Sequence, residues 1–259
     1  MPVSDISLLT DAAYAAGDIA RRFWRQDAEV WDKADDAGPV TEADLAVNEM
    51  LAEKLRKARP DYGWLSEETP DAGERLAADR AFIIDPIDGT RAFIAGEKTF
   101  SHSLAIAERG RIIAAVVYLP MYDALYAATE DSAATRNGAP IRVTEPSGAQ
   151  NATLLTARVN LAPEHWQDGT PPPVKREFRA SIAYRLCLVA EGRFDGMLTL
   201  RPTWEWDIAA GDLIARQAGA RVTDSAGSPI GYNAPKPAAA GILAAGQRLH
   251  RDLIGRIRP

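Results

Sequence analysis

The sequence predicts a mixed α/β protein in two halves of different character: an α+β half with hairpins, then an α/β half in which strands and helices alternate. Three observations carry this. The N-terminal segment has helical apolar spacing, residues 81–129 hold four strand-like runs joined by turn signals, and short β-rich runs alternate with apolar helical ones from residue 152 onward. Residues 5–24 place Ile6, Leu9, Ala13, Ala16, Ile19 and Phe23 at helical spacing, with Ser4 positioned as a cap. A polar segment from Asp32 to Gly38 follows. Thr41 then opens a second helix, from Glu42 to about Ala58, that stops before Pro60. Strands are expected at 81–85, 102–108, 111–118 and 123–129, with Arg109-Gly110 as a hairpin turn and Asn137-Gly138 as another turn. Further on, 152–156 and 195–200 read as strands, and 181–191 and 207–218 as helices, the latter ended by Gly219. Residues 220–223 and 241–245 read as strands, 247–257 as a final helix, and the Pro-rich 168–173 as a loop. A boundary near 130–145 divides the chain into 1–135 and 136–259.

Composition excludes several classes of function. At 259 residues, 46% hydrophobic and 25% charged, the chain is an ordinary soluble protein able to bury a large core. A net charge of −6 without a long basic run argues against a nucleic-acid polymer as partner. Cys187, the single cysteine, lies in the apolar run Leu186–Ala190, which excludes an intrachain disulfide. With only three histidines beside it, a zinc site is disfavoured, and a reducing, cytoplasmic location fits. Met1–Asp5 lacks a basic region followed by an apolar stretch. The apolar run Ile112–Leu119 is far below the roughly 20 residues of a membrane span, so it reads as a buried strand and no membrane partner is expected.

Chemistry concentrates in three acidic clusters: Trp64-Leu65-Ser66-Glu67-Glu68, Ile83-Ile84-Asp85-Pro86-Ile87-Asp88-Gly89-Thr90, and Trp204-Glu205-Trp206-Asp207. Each has an ordinary structural explanation. Glu67 and Glu68 suit an exposed acidic loop, Asp88 an Asx turn, and Asp207 the start of a helix, where a carboxylate favours the dipole. Asp44, three residues after Thr41, suits a capping box. A turn does not explain why Asp85 ends an apolar strand. Two carboxylates three residues apart on a turn bearing Pro86 and Gly89 repel one another, and a hard divalent cation such as Mg²⁺ relieves that repulsion through oxygen ligands. Together the four carboxylate sites, a turn carbonyl and a threonine after a glycine amount to a ligand set for two or three such ions. Gly89-Thr90 also offers backbone N–H groups to a phosphate if a helix begins there.

The three motifs, in this order and at these separations, resemble the inositol monophosphatase family of Mg²⁺-dependent, lithium-sensitive phosphomonoesterases, and the resemblance spans nearly the whole chain. It implies a layered α-β-α-β-α sandwich, commonly a homodimer, acting on a small phosphorylated substrate. It implies that Glu67, Asp85 and the Ile87 carbonyl hold one metal, that Asp85 bridges to a second held also by Asp88 and Asp207, and that Asp44 holds a third mostly through water. Thr90 would orient the attacking water with Glu68 behind it, and the Gly89 and Thr90 amides, with Asp88 and Asp207, would line the substrate site. Residues 32–40, leading into Asp44, would form a loop that closes over that site.

Substrate choice is less determined. The family's usual inositol-contacting glutamate is absent from Leu198-Thr199-Leu200-Arg201-Pro202-Thr203. Pro202–Asp207 and its distance from Cys187 are similar to the bacterial 3′(2′),5′-bisphosphate nucleotidase branch, although Ser181-Ile182-Ala183-Tyr184 departs from that branch's Gly-Ser-Ser pattern. Arg185 and Arg201 are either ligands of a second phosphate or solvated surface charges. Inositol monophosphate and bisphosphate nucleotides are the expected substrates. Histidinol phosphate, or a non-catalytic regulatory role on the same scaffold, is the alternative.

Overall fold

The structure, a computed structural model, describes residues 3–26, 28–32 and 38–258. The first half runs α1 (Asp5–Phe23), β1 (Val30–Asp32), β2 (Pro39–Thr41), α2 (Glu42–Ala58), β3 (Gly63–Ser66), β4 (Arg80–Asp88), α3 (Thr90–Ile94), β5 (Ser101–Glu108), β6 (Arg111–Leu119), β7 (Ala124–Thr129), β8 (Thr135–Arg136) and β9 (Ala139–Pro140). The second runs β10 (Thr153–Thr156), β11 (Lys175–Glu177), α4 (Ile182–Ala190), β12 (Gly196–Thr199), β13 (Thr203–Trp204), α5 (Glu205–Gln217), β14 (Arg221–Thr223), β15 (Ala238–Ala239), β16 (Ile242–Ala245) and α6 (Gln247–Ile254).

The strand period of two builds the layers. A seven-stranded sheet has the order β3-β4-β5-β6-β7-β8-β9, and only its β3–β4 pair is parallel. On one face Phe82, Ile84, Leu104, Ile106 and Val116 pack against Leu9 and Ala13 of α1 and Val47 and Leu51 of α2. Full burial of a side chain such as Phe82 is worth about 1.5–3 kcal/mol. On the other face Ile83, Ala105 and Val117 meet Leu186 of α4 and Ile208 and Ile214 of α5. The far side of those helices covers Leu155, Met197 and Ala244 of a five-stranded sheet ordered β11-β10-β12-β16-β14. That sheet's back face, with Leu154, Leu198 and Leu243, closes on Leu249 and Leu253 of α6 and on Trp166. The result is the α-β-α-β-α sandwich. Gly211 lets the two middle helices touch, since a Cβ there would sit 2.6 Å from the Leu186 Cβ.

Ser4 and Thr41 cap α1 and α2 as expected. Several boundaries differ from expectation. β4 continues through Asp88 instead of ending at Asp85, with a register shift between those two residues. Pro86 has no N–H for the ladder, and its carbonyl accepts instead from His102 Nδ1 at 2.5 Å, so the motif forms a bulge within the strand. α5 begins two residues early, at Glu205. α6 ends at Ile254, and Ile257 bridges to Trp166 instead. Asp32 and Pro39–Val40 belong to the β1–β2 hairpin, not to a loop. The rest of the expected closing segment, 33–37, lies outside the described residues. Among the described residues no helix is long and apolar enough to cross a membrane.

Candidate active site

Parallel pairing of β3 with β4 sets Ser66 opposite Ile84, and the Glu67 N–H extends the ladder by donating to the Ile84 carbonyl at 3.2 Å. Glu67 thereby arrives beside Asp85. The third acid comes from the other half of the chain. Ser103, paired with Asp85 across β4–β5, donates through Oγ to the Trp206 carbonyl at 3.0 Å, which pins the first turn of α5 over the strand end. Carboxylate oxygens of Glu67, Asp85 and Asp207 then lie within 4.8 Å of one another.

Such a cluster is electrostatically unfavourable by itself. Asp85 is buried, and its pKa is held well above the usual carboxylate range, first by burial and then by Glu67, Asp88, Asp207 and Asp44. Its Oδ1 is buried without a hydrogen-bond partner. A buried carboxyl oxygen without a partner, on a residue beside two further carboxylates, fits a hard cation. The donor set, oxygen throughout, suits a divalent ion of the Mg²⁺ type.

Asp44 serves the fold and the site together. Its Oδ2 accepts from the Thr41 N–H at 2.8 Å and the Thr41 hydroxyl at 2.5 Å, closing the capping box, while Oδ1 lies 3.2 Å from Thr90 Oγ1. Thr90 Oγ1 is also 3.1 Å from the Ile87 carbonyl, so its one proton has two acceptors. Burial, opposed by the Thr41 hydrogen bonds, raises the Asp44 pKa to about 6. A helix does begin at Thr90, though it is only five residues long.

Asp88 is placed otherwise than a simple ligand would be. Its Oδ2 accepts from Ser181 Oγ and the Ala183 N–H, both at 2.6 Å, and Oδ1 accepts from the Ile182 N–H at 3.2 Å. The carboxylate thus sits on the N-terminus of α4, where the helix dipole favours it. Of roughly four lone-pair positions on a carboxylate, three are engaged, which leaves room for one more bond. Burial still dominates and lifts its pKa to about 6. Gly89, at φ +97°, carries the chain past α4, where a Cβ would stand 3.3 Å from the Ser181 N.

Residues 3–258 match the family described as the inositol monophosphatase family. The chain belongs to that family. It is 34% identical over 255 residues to the inositol-1-monophosphatase of Rhizobium meliloti, covering 93% of this chain and 91% of the relative. It is 32% identical over 205 residues to the 3′(2′),5′-bisphosphate nucleotidase CysQ of Shigella flexneri, covering 79% and 83%. The crystal structure of the extragenic suppressor protein suhB from Bartonella henselae superimposes with a TM-score of 0.82 at 28% identity, covering 96% of each chain. Membership of the inositol monophosphatase family makes the chain a phosphomonoesterase.

Other residues of this inositol monophosphatase site escape a reading of its motifs. Asn48, one turn after Asp44 on the same face of α2, accepts from Ser66 Oγ at 2.7 Å and donates to the Thr69 hydroxyl at 3.1 Å and the Glu68 carbonyl at 3.4 Å. It clamps the loop bearing Glu67 and the half-buried Glu68. Buried Glu205, two residues before Asp207, accepts the Asn233 and Ala234 N–H groups at 2.7 and 3.0 Å. Buried Arg75 pairs with Asp71 at 2.7 Å and donates to Asn233 Oδ1 at 2.6 Å and the Ala234 carbonyl at 2.9 Å. The Glu67 loop and the start of α5 are therefore tied through one network centred on the buried Arg75 and Glu205.

The two arginines differ. Arg201 is exposed. Arg185 is buried, contrary to a solvated charge: it donates to the Arg179 carbonyl at 2.5 Å and the Ala180 carbonyl at 3.1 Å and lies over the Phe178 ring at 4.4 Å. Burial lowers its pKa to about 10, Asp88 and Asp207 oppose that, and Arg201 adds to it. Arg185 thus lies within electrostatic range of Arg201 and of two acids of the site.

Proposed function

We propose that the chain hydrolyses a small phosphate monoester with Mg²⁺, two or three ions per site, and that its preferred substrate is a 3′(2′),5′-bisphosphate nucleotide, with inositol monophosphate second. The observation that carries the metal-dependent chemistry is the Glu67–Asp85–Asp207 cluster with its orphaned Asp85 Oδ1. The preference for a second phosphate rests on Arg185, within electrostatic range of Asp88 and Asp207, and on the exposed Arg201, within range of Arg185. Glu67, Asp85, Asp88, Asp207 and the Ile87 carbonyl would hold two ions, and Asp44 a third mostly through water. When bound, these supply a Lewis acid for water and for the leaving oxygen, and they neutralise charge on the phosphate.

The chain's own groups do the rest. Thr90 Oγ1 accepts a hydrogen bond from the attacking water while its own proton is held toward Asp44 Oδ1, which orients the water. Glu68 supports that arrangement from behind. The Gly89 and Thr90 amides bind phosphate oxygens, Arg185 holds the loop before α4, and Arg201 offers its charge to the second phosphate. The halves 1–135 and 136–259 work as one unit, since Asp207 completes a site begun by Glu67 and Asp85. The working form is a cytoplasmic homodimer.

The test is a phosphate-release screen with inositol 1-phosphate, 3′-phosphoadenosine 5′-phosphate and histidinol phosphate, with Mg²⁺ or with chelator. Mg²⁺-dependent turnover highest on the bisphosphate is expected. Highest turnover on histidinol phosphate would replace the substrate assignment, and no turnover on any would favour a regulatory role.

A further inference from the structure

Trp204 and Trp206 flank Glu205 immediately before Asp207, and their rings stack with centroids 4.9 Å apart and planes 12° from parallel. The inner ring, Trp206, packs against the core between the two sheets, and its backbone carbonyl is held by Ser103 over the Asp85 strand. The outer ring, Trp204, is 46% exposed although one of its faces is covered, so its free surface is the opposite face and the edge. Its backbone is fixed by pairing of β13 with β15, Trp204 opposite Ala238. A large apolar ring that is rigid, solvent-facing and three residues from an acid of the active site costs solubility without serving the core. Its two-χ side chain, already ordered by stacking, loses little entropy when a planar ligand covers it.

The surroundings select the kind of ligand. Arg201 lies three residues before Trp204, within electrostatic reach of Arg185. An aromatic platform on the same short segment as an exposed guanidinium matches a molecule that carries both a planar ring and an anion. We propose that the exposed face of Trp204 is a nucleobase-stacking subsite, which makes the base of a nucleoside bisphosphate, and not only its phosphates, a determinant of specificity. This deepens the bisphosphate activity proposed above and rests on it. Trp206 is the backing layer that keeps the platform flat.

The experiment compares 3′-phosphoadenosine 5′-phosphate with its abasic ribose bisphosphate analogue on wild type, Trp204→Ala and Trp204→Phe. Stacking on an aromatic side chain is worth roughly 1–3 kcal/mol per base, about 5- to 150-fold. The wild-type preference in kcat/KM for the base-bearing substrate should therefore fall by about that factor in Trp204→Ala, mainly through KM, and persist in Trp204→Phe. In parallel, adenosine 5′-phosphate should quench wild-type tryptophan fluorescence and ribose 5-phosphate should not, with the quench lost in Trp204→Phe. A preference unchanged in Trp204→Ala, or an equal loss on both substrates, overturns the subsite while leaving the bisphosphate activity standing. If wild type turns over neither bisphosphate, that activity falls. The fluorescence arm then still decides whether Trp204 stacks a base, and absence of quenching overturns it.

Discussion

Asp85→Asn should separate stability from activity in opposite directions. Asp85 is fully buried, surrounded by Glu67, Asp88, Asp207 and Asp44, and its Oδ1 has no partner. Without metal the charged form is therefore strongly disfavoured, and asparagine supplies two N–H donors that neighbouring carboxylates can accept. Leaving a buried polar group unsatisfied costs about 1–3 kcal/mol. In a chain of this size each kcal/mol moves Tm by roughly 2–4 °C, so relief of that cost should raise Tm of the metal-free variant by about 2–12 °C. The sign with pH follows from linkage. A carboxyl whose folded pKa is raised contributes stability that is fully present below its unfolded pKa and is lost as pH rises through the folded value. The gain from Asp85→Asn should thus be clear at pH 8 and shrink toward pH 5. Mg²⁺ or Mn²⁺ should reverse the order, stabilising wild type and not the variant, and turnover should be abolished. Thermal denaturation at both pH values, in EDTA and in 5–10 mM metal (roughly 10²- to 10³-fold above an assumed Kd near 10 µM), reads all four arms. A variant less stable than wild type in EDTA at pH 8 would refute the account of the acid cluster as mutually repelling.

Arg201→Ala, which removes an exposed charge, should lower kcat/KM on the bisphosphate about 10- to 100-fold by loss of a charge-assisted contact worth about 1.5–3 kcal/mol, with a much smaller change on inositol 1-phosphate. Arg185→Ala is expected to lower Tm as well, because it leaves the partly buried Arg179 and Ala180 carbonyls without their donor. Arg75→Met removes a buried guanidinium and leaves Asn233 Oδ1 and the Ala234 carbonyl without their donor; a loss of about 1–3 kcal/mol, or roughly 2–12 °C, is expected, with weaker Mn²⁺ binding measured by calorimetry. The Tm gain on adding metal should grow from pH 5 to pH 7, since Asp44 and Asp88, both raised to about 6, must lose protons to bind it. His102 and His250, lowered to about 4 by burial, add stability as pH rises through the lower part of that window, but equally with and without metal.

What was legible in the sequence is what depends on local pattern. The long helices and strands β4 to β7 announce themselves through periodicity and turn residues, and the acids of the cluster through their odd position at an apolar strand end. The two-residue strands β8, β9, β13 and β15 are too short to show alternation. The hold of α4 on Asp88 joins residues 93 to 95 positions apart, which no local signal encodes. Asn48 was recoverable, being four residues after Asp44 and so on the same helical face. Arg185 gave a signal in a different sense: an arginine inside an otherwise apolar helix points to burial with carbonyl partners rather than to solvent. Glu205 carried none, because its partners come from a loop 28 and 29 residues away.

The middle helical layer is shared by two sheets. Every residue of α4 is buried, as befits an element with no face turned to water. That sharing makes the pair α4 and α5 a single mechanical part. One helix grips Asp88 with its N-terminal amides, the other presents Asp207 from its first turn, and Gly211 against Leu186 keeps them from sliding independently. A displacement of the layer would carry the seat of one acid and the backbone of another together relative to Glu67 and Asp85 on the seven-stranded sheet. The spacing of the carboxylates is thus a distance between two layers of the sandwich, so that packing far from the site, on the five-stranded sheet beneath, sets the gap an ion must span.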